Sequence, residues 1–136
     1  MRAVLAYHSE RDGSFVDYVG VDPSFRKQGL ATLLINSLLP PVVLCVRPFT
    51  SAQKAYVAMG FEHDATREAG VGGTFMVLAS TEHPSATVRG QAWKHLSDDD
   101  RATLVETVRT QQHTTENGAH HILATGDDRM RYIVLV

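Results

Sequence analysis

The chain has one cysteine, Cys45, among 136 residues. An intramolecular disulfide is thereby excluded, and so is a multi-thiolate metal cluster. Cys45 lies inside the apolar run 42–46, where a small buried hydrophobe is expected rather than a nucleophile. An excess of charge is also missing: 13 Lys and Arg stand against 15 Asp and Glu, a formal net charge of −2. Such a balance supplies no general drive toward nucleic acid or an anionic membrane, and neither is expected as a partner. No apolar stretch is long enough to cross a bilayer. The opening residues, Met1 to His8, turn polar too soon for a secretory signal. The expected compartment is the reducing cytoplasm. The seven histidines do not form a ligand pattern. There is no His-x-x-x-His pair, and His120 and His121 would face opposite ways along a strand, with His113 further upstream. No metal is expected. Ser9, Ser14 and Ser51 lack the context of a nucleophile elbow. The acidic run Asp98-Asp99-Asp100 reads as charge at a helix start, behind a Ser97 cap, rather than as a Mg²⁺ site.

A chain of this length suggests one domain. Residues 3–7 and 15–21 read as two arms of a hairpin around Asp12-Gly13, a pair suited to positive φ. Gly20 near the end of the second arm is compatible with a bulge. Residues 30–39 read as a helix ended by Pro40-Pro41. The continuous apolar run 42–46 reads as a buried strand. Residues 61–66 and 74–79 form a second hairpin around the glycine-rich loop 68–73, and 80–85 is a linker. Further on, 86–93 is a candidate strand. A helix follows Ser97, with Ala102, Val105 and Val108 as its apolar stripe and Leu104 beside it. The segment 114–119 reads as a loop. Residues 121–125 and 130–136 flank Gly126-Asp127-Asp128 as a last hairpin.

The most informative stretch is Arg26-Lys27-Gln28-Gly29-Leu30-Ala31, between a strand and a helix. The first N–H groups of a helix lack internal partners and carry partial positive charge. Arg26 and Lys27 add full charges, and Gly29 lets backbone approach a ligand closely. Such a place suits a pyrophosphate.

The wider segment, Val21-Asp22-Pro23-Ser24-Phe25-Arg26-Lys27-Gln28-Gly29-Leu30-Ala31-Thr32, closely resembles the acetyl-CoA-binding motif of the GNAT superfamily of N-acetyltransferases. Arg26, Gly29 and Ala31 stand at its defining positions. A second signature is similar to that family's too: Ala52, Tyr56, Gly60 and Phe61 follow the strand at 42–46. Phe49 stands where the family often has Asn. The resemblance covers roughly residues 3–80. It implies an α/β (α+β) fold, a mixed, mostly antiparallel twisted sheet flanked by helices. It implies acetyl-CoA as acyl donor, bound by Arg26, Lys27, Gln28, Gly29, Leu30, Ala31 and Thr32, with Val19, Gly20 and Val21 along the pantetheine arm. Tyr56 would protonate the departing sulfur. Asp17, read by period-two alternation onto the face of Phe15 and Val19, would be the base, with Tyr18 in the core on the other face. The acceptor would be an amine on a small molecule or a protein.

The family's opening strand and helices have no counterpart before residue 3. Elements of the same kind stand at 86–136. Circular permutation is one way for 81–136 to complete the core domain of 1–80. Exchange with a second copy, giving a homodimer, is the other. A contrasting expectation is a GNAT-like binding or structural module without acyl transfer.

Overall fold

The computed structural model describes residues 2–67, 73–82, 91–110 and 129–135. Within them the chain is mixed α/β, with a six-stranded sheet and three α-helices. Strands β1 (Ala3–Glu10) and β2 (Gly13–Val21) form the expected antiparallel hairpin. After a 3-10 turn at Pro23–Phe25 comes helix α1 (Leu30–Asn36). Strand β3 (Val42–Val46) lies parallel to β2. Helix α2 (Ser51–Met59) leads to the short β4 (Glu62–His63), and β5 (Thr74–Leu78) pairs antiparallel with both β3 and β4. Helix α3 (Asp98–Thr110) precedes β6 (Met130–Leu135), which pairs antiparallel with β1 in the same chain. The sheet order is β4-β5-β3-β2-β1-β6. The strand expected at 130–136 thus sits beside β1. Gln91 also makes an antiparallel bridge to Tyr132 on the outer side of β6. No helix among the described residues is long and apolar enough to cross a membrane.

Alternation along the strands divides the core in two. Ala3, Leu5 and Tyr7 of β1 and Val16 of β2 meet Leu34 and Ile35 of α1, Leu38 and Phe61, with Tyr56 and Met59 of α2 packed against them. Val4 and Ala6 of β1 and Tyr18 of β2 point the other way. They meet Leu96, Leu104 of α3, Met130 and Tyr132, with Trp93 alongside. Helices α1 and α2 therefore cover one face and α3 covers part of the other.

Several expectations need correction. The helix read to residue 39 ends at Asn36. Ser37 turns its hydroxyl back to the carbonyl of Leu34 at 2.6 Å, and Leu38 enters the core from the following turn. This local side-chain bond competes with continuation of the helix. The strand read at 61–66 shrinks to Glu62–His63, because Asp64 accepts from the Thr66 N–H and hydroxyl and closes a turn. On α3, Leu104 is the buried anchor whereas Ala102 is exposed. Ser97 does cap that helix, its hydroxyl accepting from the Asp100 N–H at 3.1 Å. Cys45 is exposed, since alternation along β3 sends Val42 and Leu44 into the first core and turns Cys45 to the other face. The residues expected as a strand at 121–125, a loop at 114–119 and most of the loop at 68–73 lie outside the described residues, as do His113, His120 and His121.

Candidate functional site

The parallel pair β2–β3 is short. Its ladder runs from Ser14–Val42 to Val16–Leu44 and stops there. Beyond that point β2 stays paired with β1 through Val21, while Cys45 and Val46 stay paired with β5. The two strands part, and among the described residues the β2–β3 ladder does not extend past Val16 and Leu44. Both strands point their carboxyl ends at this opening. Their following loops, 22–29 and 47–50, lie at the same end. In sheets with parallel neighbours this is where ligands are received.

The cause of the parting is a bulge. Ala6 pairs with Tyr18 and Tyr7 pairs with Val16, so Asp17 is an extra residue on β2. The bulge expected at Gly20 is therefore displaced to Asp17, and Gly20 pairs regularly with Val4. Gly20 has a different reason to be glycine. A Cβ there would stand 2.5 Å from the Tyr18 hydroxyl, which lies along the strand over it. The bulge also changes which residues share a face. Val16, Val19 and Val21 belong with the α1–α2 side, and Tyr18 with the α3 side. Asp17 is thus not a face-mate of Val19, because the inserted residue breaks the period of two. Instead its carboxylate meets His8 across the hairpin, Oδ2 to Nδ1 at 2.7 Å.

The loop after β2 is shaped by its own polar groups. Asp22 accepts from the Ser24 N–H at 2.8 Å, and Arg26 turns back to donate from Nε to the Val21 carbonyl at 3.3 Å. Lys27 and Gly29 both take left-handed φ, 64° and 74°. At Gly29 nothing lies within 4 Å of where a Cβ would be, so glycine is required by the backbone angle and the space above it is open. Gly29 offers α1 no side-chain cap. Arg26, Lys27 and Gln28 are exposed, and Leu30, Ala31 and Thr32 of the first turn are half-buried. Helix α2 differs, for Thr50 caps it by accepting from the Gln53 N–H.

Two tyrosines lie on opposite faces of the sheet, Tyr56 against the first core and Tyr18 in the second. Tyr56 on α2 packs edge-on to Phe61 with ring centres 5.6 Å apart, and burial raises its pKa. Tyr18 is pushed up to about 12, chiefly by burial; Arg26 opposes this and Tyr56 adds to it. Both hydroxyls stay protonated at neutral pH and are available as donors.

Sequence reasoning missed His8. The signal was present: with Glu10 opposite Gly13 across a two-residue turn, His8 falls opposite Phe15 and diagonal to Asp17. Phe15 stacks on the His8 ring at 5.1 Å. It also meets Phe75 edge-on at 6.3 Å, and Arg67 lies over both aromatic rings. Among the described residues no three His, Cys, Asp or Glu side chains gather as a metal site.

Comparison with models of known protein families, with curated proteins and with solved structures finds no match to this chain.

Proposed function

We propose that this protein is a GNAT-like acyltransferase, moving an acetyl group from acetyl-CoA to a primary amine by direct attack. The observation that carries this reading is the parting of β2 from β3 after Val16 and Leu44. The edge of β2 that diverges from β3 is the kind of surface along which the amide-rich pantetheine arm can lie, with Val19 and Gly20 along it and Val21, whose carbonyl accepts from Arg26, at its end. The open space above Gly29 and the cations Arg26 and Lys27 suit the pyrophosphate, with Gln28, Leu30, Ala31 and Thr32 framing the turn. Tyr56 is the candidate proton donor to the leaving sulfur, being neutral, half-buried and carried by α2, which follows β3. The Gln91 bridge, α3 and β6 extend and cover the β1 side of the same sheet, which supports reading them as part of one domain with the strands at 3–46.

A second reading keeps the fold and loses the reaction. Phe49 favours it, since an aromatic side chain 95% exposed at a left-handed φ is built for contact rather than for a hydrogen bond to cofactor.

Titration with acetyl-CoA tests both. At one hundred times its dissociation constant, ligand should stabilise the fold by about 2.7 kcal/mol. Gly29→Asp should remove that gain and Gly29→Asn should keep most of it, because both side chains tolerate left-handed φ and only one repels phosphate. Equal stabilisation of the parent and Gly29→Asp would reject the pyrophosphate assignment. Where binding holds, Tyr56→Phe should slow thiol release by about 10² to 10⁴ without weakening binding. Binding with no thiol release from any amine would leave the second reading standing.

A further inference from the structure

We infer that Phe15, Phe75, Glu10 and Asp64 form a guanidinium-binding cradle, which the chain's own Arg67 fills and which an arginine side chain of a peptide partner can take over. Phe15 lies in the paired part of β2, before that strand leaves β3, so the cradle is separate from the opening and does not depend on acyl transfer. The seated group shows what the cradle accepts. The Arg67 guanidinium carbon stands 5.7 Å from the centre of the Phe15 ring and 5.8 Å from that of Phe75. Its Nη2 donates to Glu10 Oε1 at 2.7 Å, and its Nε reaches Asp64 Oδ2 at 3.3 Å. Two aromatic rings and two carboxylates thus converge on one cation. A planar, weakly hydrated cation with several N–H donors satisfies both kinds of wall at once. A compact ammonium is more strongly hydrated and lacks the fixed fork of donors.

The walls do not depend on Arg67. His8 stacks on Phe15 at 5.1 Å, and Phe15 meets Phe75 edge-on at 6.3 Å. Phe75 is fixed by its ladder pairing with Cys45, and its carbonyl accepts from the Asp64 N–H at 2.9 Å. The Asp64 carboxylate accepts from the N–H and hydroxyl of Thr66, which aim it without help from Arg67. Glu10 ends β1 and is placed by its pairing with Gly13. Taking the Arg67 side chain away leaves an anionic aromatic surface on strands and a turn that other contacts keep in position.

Arg67 holds its place weakly enough to exchange. Its side chain is 34% exposed and that of Glu10 is 27% exposed. Ion pairs within reach of water contribute little, because solvent competes for both partners. The rings add only a modest attraction at an exposed site. A second guanidinium therefore competes with a tethered one whose advantage is its effective concentration. Arg67 acts as an autoinhibitory contact: it closes the cradle to free cations and yields to an arginine that a partner brings with contacts of its own.

The test titrates the full chain with acetyl-arginine amide and, as control, acetyl-lysine amide. Arg67→Ala should bind the arginine compound about 10- to 100-fold more tightly than the parent, because the competing side chain is gone. The lysine compound should bind more weakly to both proteins. Adding Glu10→Gln to Arg67→Ala should weaken arginine binding by about tenfold, through loss of a charge-assisted hydrogen bond. Arg67→Lys keeps the charge and the stem but loses the fork, and guards against a folding failure in Arg67→Ala. It too should bind the arginine compound more tightly than the parent. Equal affinity in the parent and Arg67→Ala, or equal affinity for the two compounds, would put the binding elsewhere and overturn the assignment. No binding to Arg67→Ala would overturn it as well. Binding to Arg67→Ala with none to the parent would make Arg67 a permanent filling and overturn the exchange.

Discussion

The second face of the sheet has two unlike halves. Over β1 and β6 it is apolar and covered: Tyr132 is 2% exposed, Leu104 of α3 lies against it, and Trp93 packs edge-on at 5.7 Å. Over the hairpin end of β1 and over β2, β3 and β5 it carries His8, Phe15, Asp17, Cys45 and Phe75, all half-buried or exposed, with Arg67 laid across two of the rings. One sheet face thus holds a packing surface and a chemical surface side by side. The difference lies in what covers each. A helix that buries aliphatic side chains stabilises by excluding water. A half left open to water tolerates charge, and here His8 meets Asp17 and Arg67 meets Glu10.

The covered half should be the costliest to damage. Tyr132→Ala removes the ring that meets both Leu104 and Trp93, and by analogy with other buried aromatic truncations it should cost about 3–5 kcal/mol. Urea unfolding measures this. A loss below about 1 kcal/mol would mean that α3 and β6 contribute little to the core, and the contrast between the halves would collapse.

The ion pairs that Arg67 makes at the margin of the open half should respond to pH instead. Asp64 is held below the usual carboxylate range, first by the Thr66 hydroxyl at 2.6 Å and further by the Thr66 N–H and by Arg67. A carboxyl whose folded pKa is depressed contributes fully above its unfolded value of about 4, and that contribution fades as pH falls through the lower folded value. Asp64→Asn should therefore cost about 1–2 kcal/mol at neutral pH. It should also flatten the acid limb of the stability curve below about pH 4. An unchanged acid limb would assign that limb to other carboxylates.

Legibility from sequence followed the same division. Strands β1, β2, β3 and β5 were readable because their apolar residues alternate or run together between turn residues, and β6 was readable as an apolar strand in need of a partner. The end of α1 was not, since Leu38 and Leu39 prolong the apolar pattern past the point where Ser37 closes the helix. The extra residue at Asp17 left no mark in composition: Val16 and Tyr18 look like ordinary alternation, and only their assignment to opposite halves of the core reveals the insertion. That single residue decided the site. Without it Asp17 was read as a base beside Val19; with it Asp17 faces His8. The loop at 26–31 was legible in composition, but not the return of Arg26 to the Val21 carbonyl.

The smallest effect is expected at Cys45, where it separates the two halves most cleanly. Its apolar neighbours suggested burial, yet alternation in β3 sends Val42 and Leu44 into the core beneath α1 and turns Cys45 to the open half opposite Phe75. There it is exposed. Deleting a buried small hydrophobe would cost stability, whereas a surface change should stay within about 0.5 kcal/mol. Cys45→Ser should therefore leave urea unfolding almost unchanged. In the folded parent the thiol should remain reactive toward a disulfide reagent, though slower than in the urea-unfolded chain because partial burial raises its pKa. Strong protection in the native state would show that the chemical half is covered after all, and that the contrast between packing surface and chemical surface stops at β2.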